Sequence, residues 1–267
     1  MNHNIYVKIV DALVPYSRHI LHSHLHTLAS PDPDFMDFTF PAIGIIHSCF
    51  KEKFGIPRQP GLAPLAKAQL ELLPPYNDLA AFAGLEDCSH LWVQFVFHAN
   101  KRDEWKPKVK PPRLGGNKTL GVFATRSPTR PSPIGLSVCK LEGIVQEGTR
   151  LWLELGGVDL LDGTPVLDIK PYVPYVDLVP EAINRFAEAA PTLVPVVFQP
   201  GAAGQCAAHS EPTLAELIRQ VLQQDPRPPY QQPDPDRLYG MKLLDVDVHW
   251  RYLGATIEVV AINPLAP

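Results

Sequence analysis

Residues Gly121 to Gly135 read Gly-Val-Phe-Ala-Thr-Arg-Ser-Pro-Thr-Arg-Pro-Ser-Pro-Ile-Gly. The segment opens like a buried strand, through Val122, Phe123 and Ala124. It then presents Arg126 and Arg130 among Pro128, Pro131 and Pro133. Each proline fixes its own φ and drives the preceding residue out of the helical region, so a helix is barred here. The chain has to pass from strand into a stiff loop. Such a loop loses little entropy when it orders around a ligand. Two guanidiniums on it suit planar or phosphate-bearing groups.

The rest of the chain sets the context. It has 267 residues, 45% of them hydrophobic and 19% charged, enough for one large or two small domains with real cores. No apolar run is long enough to span a bilayer as a helix, and the first residues lack the order of a secretory signal. Cys49, Cys88, Cys139 and Cys206 are too far apart for a metal spacing, and read as buried thiols of a cytoplasmic protein. The net charge is −4, yet Lys101 to Lys140 contains ten basic residues against Asp103 and Glu104. A basic field on an acidic protein draws a polyanion to one face. Trp105 lies among these charges, as expected where bases are contacted.

Residues 1–40 read as a weakly ordered extension. His19, His22, His24 and His26 cluster there without a carboxylate or cysteine partner fixed by position, so no metal site is assigned. From Pro41 the pattern is mostly β. Strands are expected near Ala42–Cys49, His90–Ala99, Gly121–Thr125, Ile134–Val145, Arg150–Leu155 and Val166–Ile169, with a short helix at Leu79–Cys88. Few helices between many strands point to an antiparallel sheet or barrel. Composition shifts over 191–204, which reads as a linker. A helix follows near Thr213–Gln223, with Leu214, Leu217, Ile218, Val221 and Leu222 on one face. A hairpin turning at Leu253-Gly254 completes a small C-terminal α+β domain over 205–267.

Among the recognised short motifs, a phosphate-binding loop, a zinc pattern and a nucleophile elbow are all missing. The polar groups instead gather in loops at strand ends: Arg58-Gln59-Pro60, His98-Ala99-Asn100, Arg126 to Pro133, and Gly156-Gly157-Val158-Asp159. Asp159, Asp162 and Asp168 are close in sequence; each is a candidate proton acceptor or cation partner, or a turn-capping carboxylate. His98 is a base or a structural histidine.

Longer motifs narrow the reading. Pro57-Arg-Gln-Pro-Gly, Ser89-His-Leu-Trp, Pro111-Pro-Arg-Leu-Gly-Gly-Asn, Gly121-Val-Phe-Ala-Thr-Arg-Ser, Arg130-Pro-Ser-Pro-Ile-Gly and Asp162-Gly-Thr-Pro-Val-Leu-Asp-Ile-Lys-Pro-Tyr occur in order. Together they resemble the TsaA/YaeB family, the tRNA methyltransferase O group. Asp225-Pro-Arg-Pro-Pro-Tyr resembles the C-terminal segment of its bacterial members. The resemblance implies a mainly β protein: a β-barrel catalytic domain over 41–190 that binds S-adenosylmethionine, in a homodimer. It implies methylation of the 6-amino nitrogen of threonylcarbamoyladenosine beside the tRNA anticodon. Carried onto this chain, the donor site comprises Arg58, Gln59, Pro60, His98, Ala99, Arg126, Leu136, Gly156, Gly157, Val158 and Asp159. His98, Asp159 and Asp168 are the candidate bases. The basic stretch, with Lys106, Lys108, Lys110 and Arg113, would face the phosphates of the anticodon stem-loop. Arg130 is left as donor contact, RNA contact or loop brace.

Two rival readings stay open on the sequence. One is a barrel that binds RNA without catalysis, the other a protein-interaction module. Replacing Lys106, Lys108 and Lys110 together by glutamine should weaken tRNA binding and flatten its dependence on salt, each lost phosphate contact reducing the log–log slope by about 0.7–0.9. An unchanged slope in filter binding across salt concentrations would remove these lysines from the interface.

Overall fold

The structure is a computed structural model and describes residues 4–9, 35–100, 106–111, 118–227, 231, 234 and 236–265. At the N-terminal end, β1 (Asn4–Ile9) pairs in parallel with β2 (Phe35–Phe40). The histidine run between them lies outside the described residues, as does Arg113. The strands are a departure from the extension expected over 1–40. The Phe-Met-Asp-Phe-Thr-Phe sequence of β2 suits strand pairing, being rich in aromatic residues.

The following strands alternate buried and exposed residues, the period of a sheet with one face inside. They are β3 (Gly44–Ser48), β4 (Lys67–Leu72) and β5 (His90–Val96). A two-residue ribbon comes next, β6 (Lys108–Val109) with β7 (Leu120–Gly121). The longer strands β8 (Ile134–Glu147), β9 (Arg150–Gly156) and β10 (Thr164–Pro171) follow. Six of these close into a barrel in the order β10-β3-β4-β9-β8-β5. β10 is the closing strand, antiparallel to β3 on one side and to β5 on the other. Inward-facing Ile46, Leu70, Leu91, Val93, Leu151, Leu153, Leu155 and Val166 fill the interior, as a six-strand barrel requires. Gly44 has no side chain because an added Cβ would stand 2.5 Å from the Glu71 carbonyl oxygen on β4.

Beyond β10, α1 (Pro174–Asp177) is a single turn. The C-terminal unit then forms from β11 (Val196–Phe198), α2 (Pro200–Ala207), α3 (Leu214–Leu222), β12 (Tyr239–Leu243), β13 (Val246–Leu253) and β14 (Thr256–Pro264). Its sheet runs β11-β14-β13-β12, and α3 buries the five apolar residues its periodicity marked. The two units share one continuous core. Phe50 bridges to Leu161 in the barrel and to Leu243 on β12, and the Phe54 ring stacks on Trp250 with centroids 5.8 Å apart.

Three local expectations are corrected. Gly121–Thr125 is not one strand: pairing stops at Gly121, and Val122–Ala124 forms a 3-10 turn. The Val122 amide leaves the ladder to donate to the Pro107 carbonyl (2.9 Å), and the Thr125 amide turns back to the Val122 carbonyl (3.1 Å). Leu79–Cys88 is two 3-10 turns rather than one helix, split at Gly84, whose φ of 86° lies in the left-handed region. The 191–204 segment, read as a linker, supplies β11 and the first turn of α2. Pro200 sits at the start of α2, where its missing N–H costs nothing. That proline made the segment look irregular although it begins a helix.

Candidate active site

Three connections leave the same end of the barrel: β3 to β4, β5 to β8, and β9 to β10. The antiparallel registers put the end of β5 (Val96) beside the start of β8 (Ile134), and the start of β10 (Thr164) beside Ile46. The three loops therefore converge on one mouth. They enclose a cavity of about 510 Å³, within the range of small-molecule sites.

The β3–β4 loop contributes Pro57, Arg58 and Gln59 to this cavity, and the β5 end contributes Phe97, His98 and Ala99. The proline-stiffened segment contributes Thr125, Arg126, Pro128 and Arg130; Leu136 and Ser137 of β8 and Asp159 complete the wall. Six of the residues expected at the donor site line this one cavity: Arg58, Gln59, His98, Ala99, Arg126 and Asp159. Leu136, half exposed at the rim, is a seventh.

The loops are held by specific contacts. Arg126 donates from Nη1 to Gln59 Oε1, tying the two arginine-bearing loops across the mouth. Lys53 donates to the Ala99 carbonyl (2.7 Å) and Asn100 Oδ1 (3.2 Å). The Phe97 amide donates to the Pro133 carbonyl (2.8 Å), which locks the start of the long β5–β8 connection to its end. Arg130 turns back on its own loop and donates to the carbonyls of Thr125 (2.6 Å) and Val122 (3.4 Å). These contacts make it a brace of its loop, and it also lines the cavity.

The remaining expected residues stand one step behind the wall. Gly157 has φ +67°, and its carbonyl accepts from the Gly61 amide at 2.8 Å. This contact pins the Arg58-Gln59-Pro60 loop to the β9–β10 turn. Val158 is buried, and its amide donates to the Ala66 carbonyl (3.2 Å). Gly156, Gly157, Val158 and Pro60 support the cavity without lining it.

Two of the three acids do not line the cavity. Asp168 lies on β10 just past a register shift at Val166, pairs with Lys170, and accepts from the Ile169 amide. The shift re-aims residues beyond Val166 and leaves this carboxylate outside the cavity, against expectation. Asp162 accepts from the Ser48 amide (2.8 Å) and pairs with Lys51 (3.0 Å), closing the turn into β10. Asp159 alone reaches inside. Burial pushes its carboxyl up from 3.8 to about 6, partly offset by a 2.6 Å hydrogen bond from Ser137 Oγ and by the charge of Arg126. Ser137 was missed because a polar residue within an apolar strand gives no signal until the barrel turns it inward.

One cavity residue also reaches the C-terminal unit. Arg58 donates from Nη2 to the carbonyls of Asp225 and Arg227, both at 3.3 Å. Asp225 takes φ 48° and is held in turn by Arg227 (2.9 Å) and by the Tyr252 hydroxyl (2.7 Å). The Arg227 guanidinium lies 4.5 Å from the Tyr252 ring centroid, a cation–π contact.

A carboxyl raised by folding favours the protonated native state. Its contribution to stability is full below about pH 4 and is lost as pH rises through about 6. Asp159→Asn should therefore gain stability relative to the parent between pH 4 and pH 7, by on the order of 3 kcal/mol. Urea unfolding at both pH values measures this, and a pH-independent difference would show that the carboxyl is not raised.

Comparison with known proteins agrees with this architecture. The tRNA-methyltransferase O N-terminal domain matches residues 45–178, and the TrmO C-terminal domain matches residues 191–265. A tRNA (adenine(37)-N6)-methyltransferase of Escherichia coli (strain K12) is 46% identical over 231 residues, covering 85% of this chain and 98% of that protein. A protein of the same name from Eikenella corrodens is 53% identical over 164 residues, 61% of this chain and 90% of that one. The crystal structure of TrmO from Pseudomonas aeruginosa superposes with a TM-score of 0.70 at 47% identity, covering 85% of this chain and 98% of the other. With both of its domains matched in order, the chain belongs to the tRNA-methyltransferase O family.

Proposed function

We propose that this protein is an S-adenosylmethionine-dependent tRNA methyltransferase that methylates the 6-amino nitrogen of adenosine 37, in its threonylcarbamoylated form, beside the anticodon. The observation that supports this most is the cavity at the barrel mouth, where a largely buried carboxylate, two arginine loops and His98 meet. Relatives of this chain are named for S-adenosylmethionine or for adenine 37 of tRNA.

The residues fit the donor. A cavity of about 510 Å³ accommodates a nucleoside with an amino-acid side arm. Asp159, destabilised as an anion by burial, would be relieved by a cationic ligand. Arg126, Arg58 and Gln59 offer donors to a carboxylate or to ring acceptors. When bound, the donor supplies an electrophilic methyl on a sulfonium sulfur.

The chain's task is then mainly alignment. In-line displacement forms the nitrogen–carbon bond as the sulfur–carbon bond breaks, with the electron pair leaving on sulfur. Holding the two partners collinear removes most of the entropic barrier. The braces between Arg126 and Gln59, between Phe97 and Pro133, and between Gly61 and Gly157 fix that geometry before substrate arrives. The acceptor nitrogen sits in a urea-like group and must release one proton. His98 and Asp159 are the titratable groups on the cavity wall that can accept it, and a carboxylate with a pKa near 6 is a better base than an ordinary one.

The exposed lysines Lys106, Lys108, Lys110 and Lys118 lie on or beside the β6–β7 ribbon, whose second strand runs on into the arginine-bearing loop, and we assign them to anticodon-stem phosphates. The same reading places the protein in the cytoplasm with its tRNA, and among the described residues no helix is long and apolar enough to cross a membrane. It also makes the protein a homodimer. Tyr175 (88% exposed), Ile183 (83%), Leu178 and Val176 make the segment between β10 and β11 unusually apolar for a free surface.

Incubation with S-adenosylmethionine and threonylcarbamoylated tRNA should add one methyl to the hypermodified adenosine, read by mass spectrometry of the digested nucleosides. Transfer to unmodified adenosine alone would refute the substrate form, and no transfer would refute the enzyme. Sedimentation at micromolar concentration should give twice the 29.6 kDa protomer mass, and Ile183→Asp should reduce it to one. A monomeric parent would remove the dimer.

A further inference from the structure

Phe123 is 72% exposed, although it lies in a loop stiffened by three prolines and braced by Arg130. Exposed apolar side chains are ordinary when they sit singly on mobile surface. This one does not. Its 3-10 turn is anchored by buried Val122, whose amide donates to Pro107 of the lysine ribbon and whose carbonyl accepts from the amide and hydroxyl of Thr125. Successive side chains of such a turn point about 120° apart, so burying Val122 throws Phe123 outward.

One face of the ring is already engaged. The Arg130 carbon Cζ lies 5.7 Å from the ring centroid, and the guanidinium is itself held by the carbonyls of Thr125 and Val122. Arginine so fixed keeps the ring in one orientation. The ring stands at a boundary. On the C-terminal side, Thr125, Arg126, Pro128 and Arg130 line the cavity. On the other, Lys108 pairs with Gly121 and Val109 with Leu120, and Lys106, Lys108 and Lys110 are exposed. A fixed aromatic between a base-sized cavity and a row of cations has the parts of a single-strand nucleic-acid platform.

We infer that Phe123 is a stacking platform for the base that flanks the target adenosine. This rests on the tRNA reading above. A base whose exocyclic nitrogen is to enter the cavity must leave its stack. Its neighbour then loses a stacking partner, and the ring of Phe123 at the rim replaces it. Charge complementarity selects this occupant: the exposed Lys106, Lys108 and Lys110 beside the ring suit the phosphates that a nucleic acid carries next to every base. Phe123 is thus a positioning residue acting on substrate capture, with no part in donor binding.

The test uses the full-length protein with tRNA bearing 2-aminopurine on each side of the target nucleotide in turn. Phe123→Ala and Phe123→Leu should both raise KM for tRNA on the order of tenfold, with kcat changed less than twofold. Phe123→Trp should restore the parent KM, and donor affinity by calorimetry should be the same in all four proteins. With one of the two labelled tRNAs, the fluorescence quench on binding should be present for Phe and Trp and absent for Ala and Leu. The leucine variant separates stacking from simple apolar cover, which leucine would satisfy. Parent-like KM and quench in Phe123→Leu overturn the platform, as does conversion of Phe123→Ala to monomers in sedimentation. If the parent protein transfers no methyl, the functional reading falls; the quench comparison reads binding alone and still decides the platform.

Discussion

Everything at the mouth of this barrel depends on β10 pairing with two strands at once. Its first residues bond to β3 and its later ones to β5, with a register shift after Val166. Without that double pairing the six strands would form an open sheet with exposed edges. With it, the β3–β4, β5–β8 and β9–β10 loops are brought over one opening. No single loop forms the site. Arg58, Arg126 and Asp159 come from three different connections, and barrel closure makes them neighbours.

Closure fixes where the loops begin and end, and a second set of contacts fixes their shape. The long β5–β8 connection is cinched at its base by Phe97 and Pro133. Prolines limit the backbone of the arginine-bearing stretch, and Arg130 draws its two ends together through the Thr125 and Val122 carbonyls. Rigidity of this kind suits a reaction in which geometry contributes most of the acceleration. It also allows a carboxylate to stay in a poorly solvated place. Asp159 is tolerated there because Ser137 and Arg126 partly compensate its burial.

Much of this was legible in the sequence, for identifiable reasons. The barrel strands alternate cleanly, so β5, β8 and β9 were placed within a few residues. Arg58 and Arg126 stood out because prolines surround them. Asp168 could not be told from Asp159, since a register shift decides which way a carboxylate faces and leaves no mark in a short sequence. Phe95 and Phe97 read only as strand residues because strand interiors and cavity walls use the same side chains. The Val122–Ala124 turn was hidden by its β-forming composition, and it is bent by the bonds of Val122 to Pro107 and Thr125. β12 went unread because Tyr239–Leu243 contains Gly240 and Lys242 at its outward positions.

The clasp between Arg58 and the Asp225–Arg227 turn makes the C-terminal unit thermodynamically part of the cavity. A ligand that needs the β3–β4 loop in place also favours the docked C-terminal sheet, through Phe54 on Trp250 and Phe50 beside Leu243. Linkage works in both directions, so whatever loosens that sheet weakens the ligand by the same free energy. A substitution on the far side of α3, more than one element removed from the mouth, can thereby act as a mutation of affinity. Sequence variation in this small appended domain would tune the barrel's hold on its ligand without altering any residue that touches it.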